Sequence, residues 1–292
     1  MAFPPSKPPI VPKQVQGVKY LRNFRELLGP LEAHRNCPNR DLHYDDYVAY
    51  ELLYFFTPVL TSMRGLQQAS NFQTVQRKLG LPRFSLGAFS EAGRVFDPKA
   101  LWPILQHLSQ EVAALQVNPR FPYLDRRPTI VDGSLLHALP RMLWALWVDD
   151  EHRAAKVHLE YDLLAEAPAF ATVTDGQGNE RTVLRGRLAS GKLYLLDLDA
   201  ELVAELYRYR WEVELFFRWF KKVLQVEHLL SHNRNGLTIM VYCALVAMLL
   251  VRLWTGRKPT KRTYEMVCFY FLGWVSEDEL AAHIASLALA QS

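Results

Sequence analysis

The longest apolar run in the chain, Leu237 to Val251, covers 15 residues, includes Thr238 and Tyr242, and stops at Arg252. A membrane-spanning helix needs about 20 residues, so the run predicts a buried core helix. Just before it, Leu206, Tyr209, Val213, Phe216, Phe217, Phe220 and Leu224 recur at helical spacing. They predict a helix that packs one side into a core. Trp211, Leu215 and Trp219 make a second apolar line on the same helix. Both flanks of the polar stripe between them are thus expected to be covered. At about 100° per residue, Tyr207, Arg210, Glu214 and Lys221 fall within an arc of about 60° on that stripe. An acid beside two cations and a phenol at a core margin suits a phosphate-handling site. A surface helix with an Arg–Glu pair at i, i+4 fits the spacing equally well.

Earlier in the chain the pattern changes twice. Val15 to Leu28 reads as a basic helix with Lys19, Arg22 and Arg25, and Asp45 to Arg64 as one apolar helix. Asn71 to Leu79, the turn from Gly80 to Ser85 and a piece ending at Val95 predict two short helices, the second capped at Ser85 or Ser90. They fit a helix-turn-helix or an ordinary helical hairpin. Asp97-Pro98 supplies an N-cap and a first-turn proline for a helix to about Gln116, with Pro103 as a kink. From Thr129 the period shortens. Thr129 to Asp132, Ala155 to Tyr161, Ala169 to Thr174 and Leu193 to Leu196 predict strands, with Lys156 to Tyr161 alternating as a half-buried strand does.

Composition adds limits. The chain has 292 residues, half of them hydrophobic, and a net charge of +4. It is long enough for two domains with a sizeable core, and mildly basic, which permits nucleic-acid binding without demanding it. Cys37, Cys243 and Cys268 are scattered, as in a reducing cytoplasm. His34, Cys37 and His43 lack a fourth ligand at zinc-site spacing, and His228 and His232 lack a third. The expected organisation is a disordered Pro-rich arm at 1–14, a helical region at 15–117, a linker at 118–128, an α/β domain at 129–275 and a C-terminal helix at 276–292. No segment predicts a signal peptide or a membrane span.

Asp132 and Asp197 each end an apolar run, and carboxylates at the ends of neighbouring strands point into one crevice. Taken alone, Asp132 before Gly133 is also an ordinary turn aspartate. Arg252, Arg257, Lys258, Lys261 and Arg262 crowd around Gly256 and Pro259. Such a loop is a solvated face by itself and a DNA-backbone contact beside a phosphate-handling site.

Tyr207, two residues, Arg210, three residues, Glu214, six residues, Lys221 is complete in type and spacing as the YREK signature. In it the chain resembles one large family of bacterial insertion-sequence DDE transposases, the YREK-signature (IS-four) family. Thr129 to Ser134 is similar to that family's first catalytic strand, Lys156 to Asp162 to its second, and Leu193 to Asp197 to the strand carrying the second Asp. The resemblance runs over roughly residues 85 to 275. It implies a shortened RNase-H-like, retroviral-integrase-like catalytic domain preceded by a helical DNA-binding region. It also implies Mg²⁺ or Mn²⁺ held by Asp132, Asp197 and Glu214. Tyr207 and Arg210 would contact phosphates near the cut end, and Lys221 would hold the terminal 5′-phosphate. The implied partners are double-stranded DNA, as insertion-sequence ends and target, and a second copy on paired ends, in the cytoplasm.

In the family the second Asp is followed by Arg-Gly-Tyr, a helix, a strand and a long β-rich insertion. Here Asp197 runs into Leu198-Asp199-Ala200, and 17 positions separate it from Glu214, as an internal deletion would produce. Asp199 is therefore the other candidate for second carboxylate. A helix starting near Asp199 would carry Glu214 roughly 22 Å away along its axis. An extended excursion over 198–203, with the helix returning from Ala204, would bring it back. The spacing favours the first arrangement and hence a catalytically inactive DNA-binding derivative that regulates transposition, as the alternative to a working transposase.

Overall fold

Thr57-Pro58 stops the first long helix. The computed structural model describes residues 24–35, 39–115, 127–138, 141–146, 153–195, 203–224, 226, 228–256, 258 and 260–289, with the backbone alone at 24–25, 203–210 and 287–289. In it α1 is Phe24–Glu32, and α2 is Tyr44–Phe56 rather than a helix to Arg64. Proline forces the residue before it out of helical geometry, and Thr57 sits at φ −127°, ψ 85°. The chain re-enters a helix at α3 (Met63–Ser70), where the Ser62 hydroxyl accepts the Gly65 N–H at 3.2 Å. Residues 15–23 of the expected basic helix lie outside the described residues.

Two compact units divide the chain: Met1–Ala92 with Glu265–Ser292, and Gly93–Tyr264. In the first, α4 (Gln73–Leu79) follows α3 after two residues, and α5 (Leu86–Val95) starts where Ser85 Oγ accepts the Ala88 N–H. Gly80, at φ 65°, ends α4 in the left-handed conformation that glycine adopts without strain. The core there is aromatic. Tyr47 meets Phe89 at 4.6 Å, Phe84 meets Tyr50 and Phe89 at 4.7 and 4.8 Å, and Phe56 meets Phe271 at 4.9 Å. The C-terminal helix, α11 (Glu277–Leu289), opens with a capping box: Ser276 Oγ accepts the Glu279 N–H, and Glu279 accepts the Ser276 N–H.

In the second unit Asp97 caps a short 3-10 turn, Pro98–Leu101, by accepting the Lys99 N–H at 2.9 Å. Helix α6 (Trp102–Ala114) starts after it, so Pro103 sits in the first turn, where it has no hydrogen bond to break. Four strands follow: β1 (Arg127–His137), β2 (Ala154–Asp162), β3 (Ala167–Asp175) and β4 (Lys192–Leu195). They form one mixed sheet in the order β3-β2-β1-β4, with β1–β2 and β2–β3 antiparallel and β1–β4 parallel. A short helix, α7 (Glu180–Arg185), lies between β3 and β4.

Two long helices close this unit, α8 (Val203–Lys222) and α9 (Arg234–Thr255). The run from Leu237 to Val251 is the buried centre of α9. By length and composition α9 could cross a membrane, yet 89% of its apolar window is buried inside the protein. The Tyr242 hydroxyl fixes it to β3 by donating to the Ala171 carbonyl at 3.0 Å and accepting from Trp102 Nε1 at 3.1 Å. The apolar face expected of α8 is buried at Val213, Phe216, Phe217, Phe220 and Leu224. Its second apolar line is covered only in part. Trp219 meets Tyr264 at 5.6 Å, whereas Trp211 is 54% exposed, so that flank of the polar stripe is open.

Candidate catalytic crevice

Asp132 lies on β1 opposite Leu159 of β2, and Ile130 opposite Tyr161. Side chains two apart on a strand share a face, as do directly paired ones, so Asp132, Ile130, Leu159 and Tyr161 face one side. Tyr161 meets the Phe216 ring there at 5.7 Å. Helix α8 therefore covers the face that carries Asp132. Asp132 is half-buried, and its Oδ1 accepts the Gly133 N–H at 2.8 Å.

On the other edge of β1, Ile130 pairs in parallel with Leu195. Each stands two residues before an aspartate, Asp132 and Asp197. Asp197 and Asp199 lie outside the described residues. Glu214 is on α8, which is described from Val203 onward, and its side chain is exposed. Seven residues on, at the same angular position, the Lys221 ammonium donates to the Leu135 carbonyl of β1. Among the described residues no three His, Cys, Asp or Glu side chains gather as a metal group.

The other expected contacts divide. Tyr207 and Arg210 fall on α8 before Glu214, where only the backbone is described. Lys258 pairs with Glu212 at 3.3 Å, and Lys261 and Arg262 are exposed at the start of α10 (Lys261–Phe271). Arg257 lies outside the described residues. Arg252 is buried, 5% exposed, within the last turns of α9. Its position in the run Val251 to Thr255 continues the buried helix instead of opening the basic loop.

A polar cluster on the opposite face of the sheet was not expected. Lys156 pairs with Glu180 of α7 at 2.6 Å and donates to the Gly178 carbonyl at 3.1 Å. His158 Nε2 lies 2.8 Å from Thr174 Oγ1. Glu160 takes Arg187 at 2.8 Å and Lys192 at 3.2 Å, and the Arg187 guanidinium lies 3.2 Å from the Phe170 ring centroid. Burial pushes the His158 imidazole down to about 4, which keeps it neutral at physiological pH. Partial burial alone would raise the Glu180 carboxyl, but the Lys156 ammonium and Glu180's own backbone N–H outweigh it and hold it below the usual carboxylate range. The sequence signal was the Lys-x-His-x-Glu alternation of β2, which by itself reads as a solvated strand face. Glu180 and Arg187 come from the segment between β3 and β4, and Lys192 from the start of β4, so only the fold reveals the pairing.

Residues 192–250, which span β4, α8 and most of α9, match the transposase DDE domain family. That stretch holds Asp197, Glu214 and Lys221 but not Asp132. The chain is similar to a probable insertion-sequence transposase from Geobacillus stearothermophilus, 35% identical over 75 residues, which is 26% of this chain and 20% of that protein. It is also similar to a putative transposase from Sinorhizobium fredii, 37% identical over 54 residues, or 18% of this chain and 15% of that one. A third, a putative insertion-sequence transposase from Synechocystis, is 34% identical over 53 residues, or 18% and 16%. The aligned stretches thus span a fifth or less of each of these relatives. No solved structure matches the chain.

Proposed function

We propose that this chain is a DDE transposase of the YREK-signature family with a shortened RNase-H-like domain, in which Asp132, Asp197 and Glu214 form the catalytic triad. The observation that carries the reading is the parallel pairing of Ile130 with Leu195. Asp132 and Asp197 stand at the same offset, two residues beyond that pair, which favours them as neighbouring carboxylates. Asp197 is preferred over Asp199 for this reason.

The lie of α8 supports the third member. Phe216 packs at the level of Ile130 and Lys221 reaches Leu135, so α8 advances in the same direction as β1. Seven helical residues span about 10 Å, and three strand residues, from Leu135 back to Asp132, span about the same. Counting back from Lys221 puts Glu214 near the level of Asp132, and counting back two residues from Phe216 puts it near Thr129, so the two anchors bracket Glu214 between these levels of β1. Eight residue steps from Leu195 to Val203 reach up to about 27 Å when extended, enough to return the helix to β1. The deletion therefore removes the covering insertion and leaves the triad able to close.

Three carboxylates without imidazole or thiolate are a hard oxygen-donor set that suits Mg²⁺ or Mn²⁺. Asp132, half-buried with one oxygen anchored by Gly133 N–H, and Glu214, open to solvent, fit that use. Bound there, a metal pair would activate a water or 3′-hydroxyl and stabilise the leaving oxygen in phosphodiester displacement. Lys221, placed one hydrogen bond from β1, supplies a fixed positive charge for the cleaved strand's 5′-phosphate. Tyr207, Arg210, Lys258, Lys261 and Arg262 belong to the flanking DNA contacts of the same proposal. Two copies acting on paired ends complete it.

The second reading, a DNA-binding derivative without cleavage, draws on the 17-position separation of Asp197 and Glu214. A cleavage assay with Mg²⁺ or Mn²⁺ on DNA carrying the element's terminal repeats decides between them. Cleavage that disappears in Asp132→Asn, with DNA affinity retained, supports the transposase. Binding with no cleavage in the parent chain supports the derivative, and cleavage surviving in Asp132→Asn refutes the triad.

A further inference from the structure

From Leu52 to Ser90 the chain runs 39 residues without an aspartate or glutamate, where its average density of acids would put about four. The same stretch carries Arg64, Arg77, Lys78 and Arg83, and five side-chain amides: Gln67, Gln68, Asn71, Gln73 and Gln76. Folding leaves most of them on the exposed sides of two helices that follow each other closely. In α3, Gly65, Leu66, Ala69 and Ser70 are buried, while Arg64, Gln68 and Asn71 are exposed at spacings of four and three. In α4, Val75 and Leu79 are buried, while Gln73, Arg77 and Lys78 are exposed, and Arg83 is exposed just beyond.

The backbone beneath this face is held firmly. Ser70, fully buried, donates through Oγ to the Gln67 carbonyl at 2.7 Å and accepts the Phe84 N–H at 3.4 Å. Its own carbonyl accepts Gln76 Nε2 at 3.0 Å, which ties α4 to the end of α3. Gln76 is thus used internally. Among the described residues, no hydrogen bond or ion pair engages the Arg64, Gln68, Asn71, Gln73, Arg77, Lys78 or Arg83 side chains. Amide side chains held on a rigid pair of helices present the donor-and-acceptor edge that pairs with adenine, and the surrounding cations match phosphate.

We propose that the α3–α4 face reads the base sequence of duplex DNA: Gln68, Asn71 and Gln73 contact base edges, and Arg64, Arg77, Lys78 and Arg83 hold the flanking phosphates. The sequence-reading element is then α3–α4, not the α4–α5 hairpin around Gly80 to Pro82. Exposed Glu91 on α5 is consistent with that division. The inference rests on the transposase reading, because it names the surface by which the chain selects its DNA.

The test is selection of the full chain on a pool of short duplexes with a randomised central segment, in the absence of divalent metal. The parent chain is expected to enrich one motif. The triple variant Gln68→Ala/Asn71→Ala/Gln73→Ala should lose about tenfold or more in affinity for that motif while keeping its affinity for the unselected pool. Arg77→Ala/Arg83→Ala should weaken binding to every duplex and lower the slope of log affinity against log salt by about two. The selected duplex should also shield Lys78 from acylation but leave Lys99 reactive, a readout that does not depend on any variant folding. No enrichment, enrichment unchanged in the triple variant, or an unshielded Lys78 overturns the proposal. Asp132→Asn should enrich the same motif. Cleavage without enrichment therefore sinks this inference alone, and enrichment without cleavage sinks the transposase reading alone.

Discussion

Gly133 stands where the Glu180 carboxylate leaves no room for a side chain: a Cβ at residue 133 would come 2.5 Å from Glu180 Oε1. It would come equally close to Lys156 Cε. Both obstructing atoms belong to flexible side chains, so Gly133→Ala should displace the Lys156–Glu180 pair rather than the strand. A pair of this partial exposure contributes modestly, so the expected loss is about 1 kcal/mol. In a Glu180→Ala background the substitution should cost much less. Equal costs in the two backgrounds, measured by denaturant unfolding, would show that the strand itself has moved.

The two units should lose stability at opposite ends of the pH scale. Glu51, fully buried in α2, has its carboxyl pushed up to about 8 by burial, which outweighs the nearby Tyr47 hydroxyl. Its folded value lies above the unfolded one of about 4.3. The stability it contributes is complete below the unfolded value and is lost as pH rises through 8. His158 runs the other way. Held down at about 4 against about 6.5 unfolded, it leaves stability intact above 6.5, with loss as pH falls towards 4. Glu51→Gln should flatten the alkaline limb of a melting-temperature profile and leave the acid limb unchanged. An alkaline limb as steep in that variant as in the parent chain would rule Glu51 out as its source.

Much of this was legible because the relevant forces are local. Period-two alternation marked β2, helical spacing marked the buried face of α8, and the length of the Leu237 run marked α9 as a core helix. The stop at Pro58 is harder to read, because it lies inside an apolar run that by itself predicts one helix, although it acts through ordinary proline sterics. Sequence also does not show where a buried helix ends, so the burial of Arg252 near the end of α9 is visible only in the fold. The charges facing Lys156 and Glu160 are hidden for a different reason: Glu180 and Arg187 come from α7 and the residues after it, and only the tertiary fold brings them over β2.

Phe216 links α8 to the sheet through Tyr161 at 5.7 Å and stacks on Phe220 at 5.6 Å. Deleting a buried aromatic ring costs about 3–5 kcal/mol. Phe216→Ala should therefore destabilise the second unit by that order, and also release α8 from the face carrying Asp132. Phe216→Leu keeps most of the volume and should restore both stability and any cleavage. A Leu variant that is stable yet as defective in cleavage as the Ala variant would show that the ring does more than hold the helix.

Lys221 tests the proposed catalytic role of α8 against a purely structural one. Its ammonium donates to the Leu135 carbonyl, and losing a hydrogen bond of this type costs about 1 kcal/mol net. Lys221→Met should therefore lower stability only slightly. If Lys221 holds the reacting phosphate as proposed, removing its positive charge is far more costly in rate, about 100-fold or more. Lys221→Arg, which keeps a charged donor, should retain the stability and part of the rate. Parallel unfolding and metal-dependent cleavage measurements on the three proteins check this. If Lys221→Met loses several kcal/mol of stability and its cleavage falls only as far as its folded fraction, the residue is a strut between α8 and β1 and the assigned phosphate contact is wrong.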